Sequence, residues 1–139
     1  MAKIKGVSQH TRRLQRMRGP AMIHNVTRAL YGGAQDIQVT AQISITTGAV
    51  SGKHHQASAP GEPPNNDSGV LAGNIEATTP GPLKAETSSN APYGAAQELG
   101  SEKLHLPERP YMRPATETSR PKVTKRVVDA VNKVNARRG

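Results

Sequence analysis

The sequence predicts an α+β domain with one or two N-terminal helices, a small antiparallel hairpin sheet, a C-terminal helix packed on that sheet, and a long Pro/Gly-rich loop. Apolar residues recur at three- and four-residue steps before residue 47 and again near the C-terminal end. Two seven-residue segments, 73–79 and 83–89, flank the turn signal Pro80-Gly81-Pro82. Residues 48–67 combine many breakers with no apolar periodicity. The length of 139 residues fits a single domain, 1–139.

The residues available for a core are small. The chain has no Phe, no Trp and only three Tyr, although aromatic side chains bury the most area per residue. Its 13 Gly and 11 Pro favour irregular backbone. Because ordering the backbone costs about 1–2 kcal/mol per residue, we expect partner chains to complete part of the structure. The lack of Cys excludes disulfides and thiol catalysis.

A basic N-terminal helix is predicted within residues 1–18. Val7, Leu14 and Met17 fall on one face of it, among Arg and Gln. Gly19-Pro20 interrupts this pattern, and Pro is tolerated in the first turn of a new helix.

A second helix is predicted over about 20–47, because the helical phase of its apolar residues continues through the whole stretch. Two features leave a helix followed by a strand as the alternative. Gly32-Gly33 costs about 1 kcal/mol per Gly in a helix interior. Apolar residues also alternate from Ile37 to Ile45, which fits a strand.

The middle of the chain is predicted to be loop and hairpin. Residues 48–67 form a long loop, a length that is uncommon in compact domains unless the loop is functional or disordered. Asp67-Ser68-Gly69-Val70-Leu71 offers a cap and a short apolar turn. Residues 73–79 and 83–89 form the hairpin strands. The candidates for its inward face are Ile75, Ala77, Leu83 and Ala85.

The C-terminal part is predicted to end in a basic helix. Residues 92–99 suit a short helix or turn closed by Gly100, and 101–113 are irregular. The last helix spans about 119–139, opened by Pro114 or Pro121. Its apolar stripe consists of Val123, Val127, Val131 and Val134.

Charge is distributed unevenly along the chain. Residues 1–30 carry seven basic and no acidic side chains, and 120–139 carry seven basic side chains and Asp129. Residues 31–119 carry nine acidic and five basic side chains. The basic ends suit nucleic acid, an acidic partner surface or solvation. A nucleic-acid-binding protein that uses both ends is therefore the alternative function, although aromatic residues that stack on bases are missing near the C-terminal cluster.

Sequence motifs for catalysis, phosphate binding or metal binding are weak. The segment 48–54 (GAVSGKH) resembles a phosphate-binding loop only in part. Its first Gly is one position too close to Gly52-Lys53, and His54 stands where Ser or Thr would hold magnesium. His54-His55 and His105 are interpreted as solvated loop residues, not metal ligands. No nucleophile, base and orienting residue can be assembled. The start of the chain lacks the apolar stretch of a signal peptide, so a cytoplasmic site of synthesis is expected.

Four segments in a fixed order carry a resemblance. They are 59–64 (APGEPP), 67–71 (DSGVL), 91–100 (APYGAAQELG) and 108–115 (ERPYMRPA). Their order resembles the neck and tail-component (tail-completion) family of lambdoid-type siphophages. The family pattern runs Pro-Gly-x-Pro-Pro, Thr/Ser-Gly-x-Leu, Tyr-Ala-x-x-x-Glu-x-Gly and Arg-Pro-Phe-Leu-Arg-Pro-Ala. Here Ser68 stands for the common Thr, Gly94 for Ala, and Tyr111-Met112 for Phe-Leu.

This resemblance implies a structural virion protein with no enzymatic activity, cofactor or metal. It would sit in the neck or at the head-proximal end of the tail, in a sixfold or twelvefold ring assembled in the host cytoplasm. Its neighbours would be the head-completion or connector, tail-terminator and tail-tube proteins, with DNA passing through the ring without sequence specificity. We expect loop 48–67 to contact a neighbouring copy, because Pro residues pre-extend it. The motif residues expected to serve subunit contacts are Pro60, Gly61, Pro63, Pro64, Ser68, Gly69, Leu71, Tyr93, Glu98, Gly100, Arg109, Pro110, Tyr111, Arg113 and Pro114.

Overall fold

The computed structural model describes residues 4–50 and 52–136, and its architecture confirms the predicted α+β class. The helices are α1 (Val7–Met17), α2 (Pro20–Thr46), α3 (Val70–Gly73), α4 (Gly94–Leu99) and α5 (Met112–Ala136), and the strands are β1 (Ile75–Gly81) and β2 (Lys84–Ser89). Residue 51 of loop 48–67 lies outside the described residues, as do residues 1–3 and 137–139 at the ends of the two predicted basic helices. The rest of that loop is irregular except for one 3-10 turn, Gly52–His54.

Helix α2 is the common support of the domain. Both α5 and the two-stranded sheet pack against it. It is one continuous helix, so the strand alternative for 37–45 is wrong. Gly32 and Gly33 are accommodated because α5 crosses at this point. A Cβ atom on Gly33 would lie 2.8 Å from Cγ1 of Val123, which means that the missing side chain allows the two helices to approach closely.

The sheet is an antiparallel hairpin in which Ile75 pairs with Ser89 and Ala77 with Thr87. Ile75 is buried, and the hydroxyl of Thr87 donates a hydrogen bond of 2.9 Å to the carbonyl oxygen of Ala34 on α2. The placement of Leu83 on the inward face is wrong. Leu83 lies in the turn after Pro82 with a φ of 56° and is 52% exposed. Because Pro82 directly precedes Leu83, the turn itself and not the strand determines where this side chain points.

The buried core is small and joins α2, α3, β1 and the start of α5. It contains Ala41, Ile45, Leu71, Ile75, Ala91, Tyr111 and Ala115. Tyr111 and Ile45 are its largest fully buried side chains. One tyrosine therefore supplies much of the buried volume in a chain that lacks Phe and Trp.

Two local predictions need correction. The last helix begins at Met112 and not near 119, so Pro114 lies in its first turn and Pro121 in its interior. The helix starts early because backbone N–H groups in its first turn find an acceptor in another part of the chain. Asp67 does not cap α3, since the residue at the cap position is Gly69. The carboxylate of Asp67 instead accepts a hydrogen bond of 2.8 Å from the backbone N–H of Gly52.

Helix α1 packs in an unusual orientation. Arg12, Gln15 and Arg16 line a concavity together with Val134 of α5 and the beginning of α2. The predicted apolar face points the other way, because Val7, Leu14 and Met17 are 55%, 48% and 45% exposed. Arg16 is the one half-buried residue of α1, so the helix contacts its own chain through Arg16 and leaves its apolar residues open.

Candidate functional site

Three segments that carry the resemblance meet in space and form what we call the motif cluster, made of residues 58–64, 94–100 and 108–114. The backbone N–H of Gly61 donates to the carbonyl oxygen of Glu108 at 2.8 Å, and the N–H of Arg109 donates to the carbonyl oxygen of Gln97 at 2.7 Å. The Nε–H of Arg109 reaches the carbonyl oxygen of Ser58 at 3.1 Å. Residues up to 51 positions apart in the sequence are thus joined by hydrogen bonds.

Glu98 is the central acceptor of the motif cluster. Its carboxylate accepts backbone hydrogen bonds from Tyr111 (2.7 Å), Met112 (2.9 Å) and Arg113 (3.0 Å). These N–H groups surround the first turn of α5, where helical donors have no partner within the helix. The guanidinium of Arg113 adds a bond of 3.1 Å to the same carboxylate and another of 3.1 Å to Glu108. Glu98 therefore acts as a cap for a helix to which it does not belong.

The electrostatics of Glu98 follow from these contacts. Burial by itself raises the pKa of the carboxyl group, because an apolar surrounding disfavours the charge. The backbone N–H groups of Tyr111, Met112 and Arg113 and the Arg113 side chain outweigh burial, so the pKa of Glu98 is below its usual range. The carboxylate is therefore ionised at neutral pH, as expected for a helix cap.

Tyr111 connects the motif cluster to the sheet. The side chain is 0% exposed, and its hydroxyl lies 2.6 Å from Oγ of Ser89 on β2 and 3.3 Å from the carbonyl oxygen of Gly94. Burial raises the pKa of the Tyr111 hydroxyl, although the hydrogen bond with Ser89 lowers it in part. A residue predicted to be a subunit anchor is thus an anchor within its own chain.

Two glycines are required by close contacts in this region. Gly100 has a φ of 72°, and a Cβ atom there would lie 3.0 Å from the carbonyl oxygen of Leu106. A Cβ atom on Gly94 would lie 2.8 Å from Oγ of Ser89 and 2.9 Å from the hydroxyl oxygen of Tyr111. Two of the positions at which the chain departs from the resemblance, Gly for Ala and Tyr for Phe, are therefore in contact. The added hydroxyl, together with Oγ of Ser89, takes up the space that a methyl group at position 94 would need.

This contact predicts that the substitutions Gly94→Ala and Tyr111→Phe compensate each other. Gly94→Ala alone should destabilise the protein by about 1–3 kcal/mol through overpacking, and Tyr111→Phe alone by about 1 kcal/mol through a lost hydrogen bond. The double variant should be more stable than the sum of the two effects by at least about 1 kcal/mol. Urea denaturation followed by circular dichroism measures all three.

Gly73→Ala is the matched control, because a Cβ atom at Gly73 contacts nothing within 4 Å. It should change stability little, with or without Tyr111→Phe. Strict additivity of Gly94→Ala and Tyr111→Phe would contradict the compensation.

The remaining motif residues occupy different environments. Pro64 and Leu71 are buried, whereas Pro63, Gly69 and Pro110 are half-buried. The exposed ones are Pro60, Gly61, Ser68, Tyr93, Arg113 and Pro114. The guanidinium of Arg113 contacts the carboxylate of Glu98, whereas the Nε–H of Arg109 donates to a backbone carbonyl oxygen.

Loop 48–67 is attached to its own domain. Besides the contacts of Ser58 and Gly61, the N–H of Asn66 donates to the carbonyl oxygen of Ile45 at 3.0 Å. The side-chain amide of Asn65 donates to the carbonyl oxygen of Gln56 at 2.9 Å, which closes part of the loop on itself. The prediction that this loop contacts a neighbouring copy can therefore concern only its exposed residues.

Asp36 was missed as a structural residue. It accepts hydrogen bonds of 2.6 and 3.0 Å from Arg126 on α5, and Lys122 lies 3.4 Å away. The hydrogen bond from Arg126 is the main cause that lowers the pKa of Asp36, and the charges of Arg126 and Lys122 add to it against the opposing effect of burial. The available signal was that Asp36 is the first acid in the chain and lies in a helix opposite a basic one.

The histidines and acids described by the structure show no metal-binding arrangement. Within residues 4–50 and 52–136, no three or more His, Asp or Glu side chains come together as a possible metal site. The imidazole of His55 lies 3.0 Å from the carbonyl oxygen of Val50 in the loop. In the same residues, no helix is long and apolar enough to span a membrane.

Known proteins provide no further assignment. Comparisons with family models, curated proteins and solved structures found no match.

Proposed function

We propose that this chain is a structural protein of a long-tailed phage, located in the neck or at the head-proximal end of the tail. In this proposal it forms a sixfold ring, with twelve copies as the alternative, around the channel through which DNA passes. It joins the head connector to the tail through the head-completion, tail-terminator and tail-tube proteins. It acts by binding and not by catalysis, and it is assembled into the virion in the host cytoplasm.

The observation that carries this proposal is the contact between Gly94 and Tyr111 in the motif cluster, where the change at one position compensates for the change at the other. Gly94 and Tyr111 are the two departures in which the chain loses a methyl group and gains a hydroxyl group relative to the family pattern. The hydroxyl oxygen lies where the methyl group would clash, at 2.9 Å from a Cβ atom on Gly94. If the similarity of these segments to the family pattern arose by chance, there is no reason for two of the differing residues to contact each other. Such a contact is expected if the chain descends from that pattern, because neighbouring residues change together.

A surplus of exposed apolar side chains supports assembly into a ring. Among the described residues, more large apolar side chains are exposed than are buried. Ile4, Leu99 and Leu104 are 81%, 63% and 62% exposed. In the proposed ring, contacts between copies would cover part of this apolar surface and supplement a core that is small for the length of the chain.

The test is to determine the mass and shape of the purified chain. Light scattering after size exclusion should give a mass of six or twelve copies, and negative-stain electron microscopy should show rings with an open axis. A stable monomer at micromolar concentration would contradict the proposal.

The nucleic-acid alternative is favoured only by α1. Along α5, most of the basic residues pair with acids: Arg120 with Glu117 at 3.1 Å and Lys125 with Asp129 at 2.7 Å, in addition to the pairs with Asp36. Helix α1 carries Arg12, Arg13 and Arg16 and no acid, and Arg18 follows its last residue. Fluorescence anisotropy with a short DNA duplex distinguishes the two functions. A ring protein should bind weakly, whereas tight binding with a steep dependence on salt would favour the alternative.

A further inference from the structure

The outward face of α1 is an apolar stripe with basic borders. Val7, Leu14 and Met17 form the stripe, and a helical projection places Arg13 and Arg18 on its two sides. On the opposite side, Arg16 is half-buried against the chain, whereas Arg12 and Gln15 line the same concavity but remain exposed. An isolated domain would normally turn the apolar side inwards, so the orientation of α1 leaves this stripe for another molecule.

Pairing of two α1 stripes is unfavourable. Each copy brings three arginines and no acid on α1, with Arg18 directly after it, and like charges brought together across an interface cost several kcal/mol in the general case. The partner surface of α1 therefore has to combine apolar groups with acidic ones.

An open groove at the end of α4 has this combination, and we call it the Leu99 groove. Leu99, Leu106 and Pro107 contribute its apolar lining, and Glu102 and Glu108 contribute its acids. Leu99 is among the most exposed large apolar residues that the structure describes, at 63%. The basic residue of this loop, Lys103, does not line the groove. Glu108 is already bound to Arg113, so Glu102 is the acid that can pair with an arginine of α1.

We propose that the apolar stripe of α1 in one copy docks into the Leu99 groove of the next copy. The inference rests on the proposed ring and names its contact surface. An amphipathic helix that lays its apolar face in a groove is a common mode of recognition. The two surfaces differ, so the contact is heterologous, and heterologous contacts close into a ring when the rotation between copies allows it.

Cysteine crosslinking tests which surfaces meet, because the chain contains no Cys. We expect a mixture of the single variants Leu14→Cys and Leu99→Cys to form a disulfide-linked dimer under mild oxidation. Leu14→Cys alone should form far less. Gln9→Cys is the matched control, since Gln9 is exposed on α1 but lies outside the stripe, and its mixture with Leu99→Cys should remain largely uncrosslinked. Dominant linking of Leu14→Cys to itself would overturn the inference.

A charge introduced into the stripe separates this inference from the proposed function. Leu14→Glu should weaken ring formation at least about tenfold, corresponding to the loss of a central apolar contact, whereas Gln9→Glu should leave it unchanged. Rings that persist with Leu14→Glu overturn the docking of α1 but leave the ring protein intact. A monomeric wild-type chain overturns both. A monomer whose α1 binds anionic vesicles, with binding lost in Leu14→Glu, would assign the stripe to a lipid surface instead.

Discussion

Tyr111→Ala is expected to destabilise the protein by about 3–5 kcal/mol, the range for removal of a large buried aromatic side chain. The residue is fully buried and contacts the core formed by α2, β1 and α5. Small domains are stable by only about 5–15 kcal/mol in total, and this core contains no other aromatic residue. The substitution should therefore leave the chain close to unfolding at room temperature.

Chemical denaturation measures this effect directly. Tyr93→Ala is the matched control, because it removes the same side chain from a position that is 42% exposed, and it should cost less than about 1 kcal/mol. Equal losses for the two variants would show that Tyr111 has no special role in the core.

Glu98→Ala is expected to cost about 2–4 kcal/mol at neutral pH. The substitution removes the acceptor of three backbone N–H groups at the start of α5 together with the partner of Arg113. Loss of a helix cap alone costs about 0.5–2 kcal/mol, and hydrogen bonds to charged groups contribute about 1.5–3 kcal/mol each before non-additivity. Glu98→Gln keeps one acceptor oxygen and should lose about half as much.

The contribution of Glu98 should depend on pH in a defined direction. Because the pKa of Glu98 is lower in the folded than in the unfolded chain, its stabilisation is complete above the unfolded value, about 4.3. It decreases as the pH falls through the folded value. The difference in unfolding free energy between wild type and Glu98→Gln should therefore be largest near neutral pH and should shrink in acid.

Urea titrations at several pH values measure this difference, and Asp36 does not disturb it because Asp36 is present in both proteins. Glu86→Gln serves as the control, since it removes an exposed carboxylate on β2 that caps no helix. A Glu98→Gln deficit that stays constant from about pH 7 down to about pH 3 would contradict the role of the ionised carboxylate.

Local sequence patterns determined the type of most elements. The helical phase of the apolar residues predicted α1 and α2, and the turn signal Pro80-Gly81-Pro82 predicted the hairpin. The breakers in 48–67 predicted a long loop. These features depend on neighbours within a few positions along the chain, so the amino-acid order alone contains the information.

The tertiary structure decided how these elements are completed and which of their faces are covered. Helix α5 starts at Met112 because Glu98, distant in sequence, accepts its first N–H groups. Gly33 is tolerated within α2 because Val123 approaches it, and Asp36 is ionised next to Arg126. Each of these effects requires groups that are 14 to 90 residues apart to come within a few ångströms. The periodicity of the sequence does not specify which of these distant residues come into contact, so only the folded chain reveals the contacts.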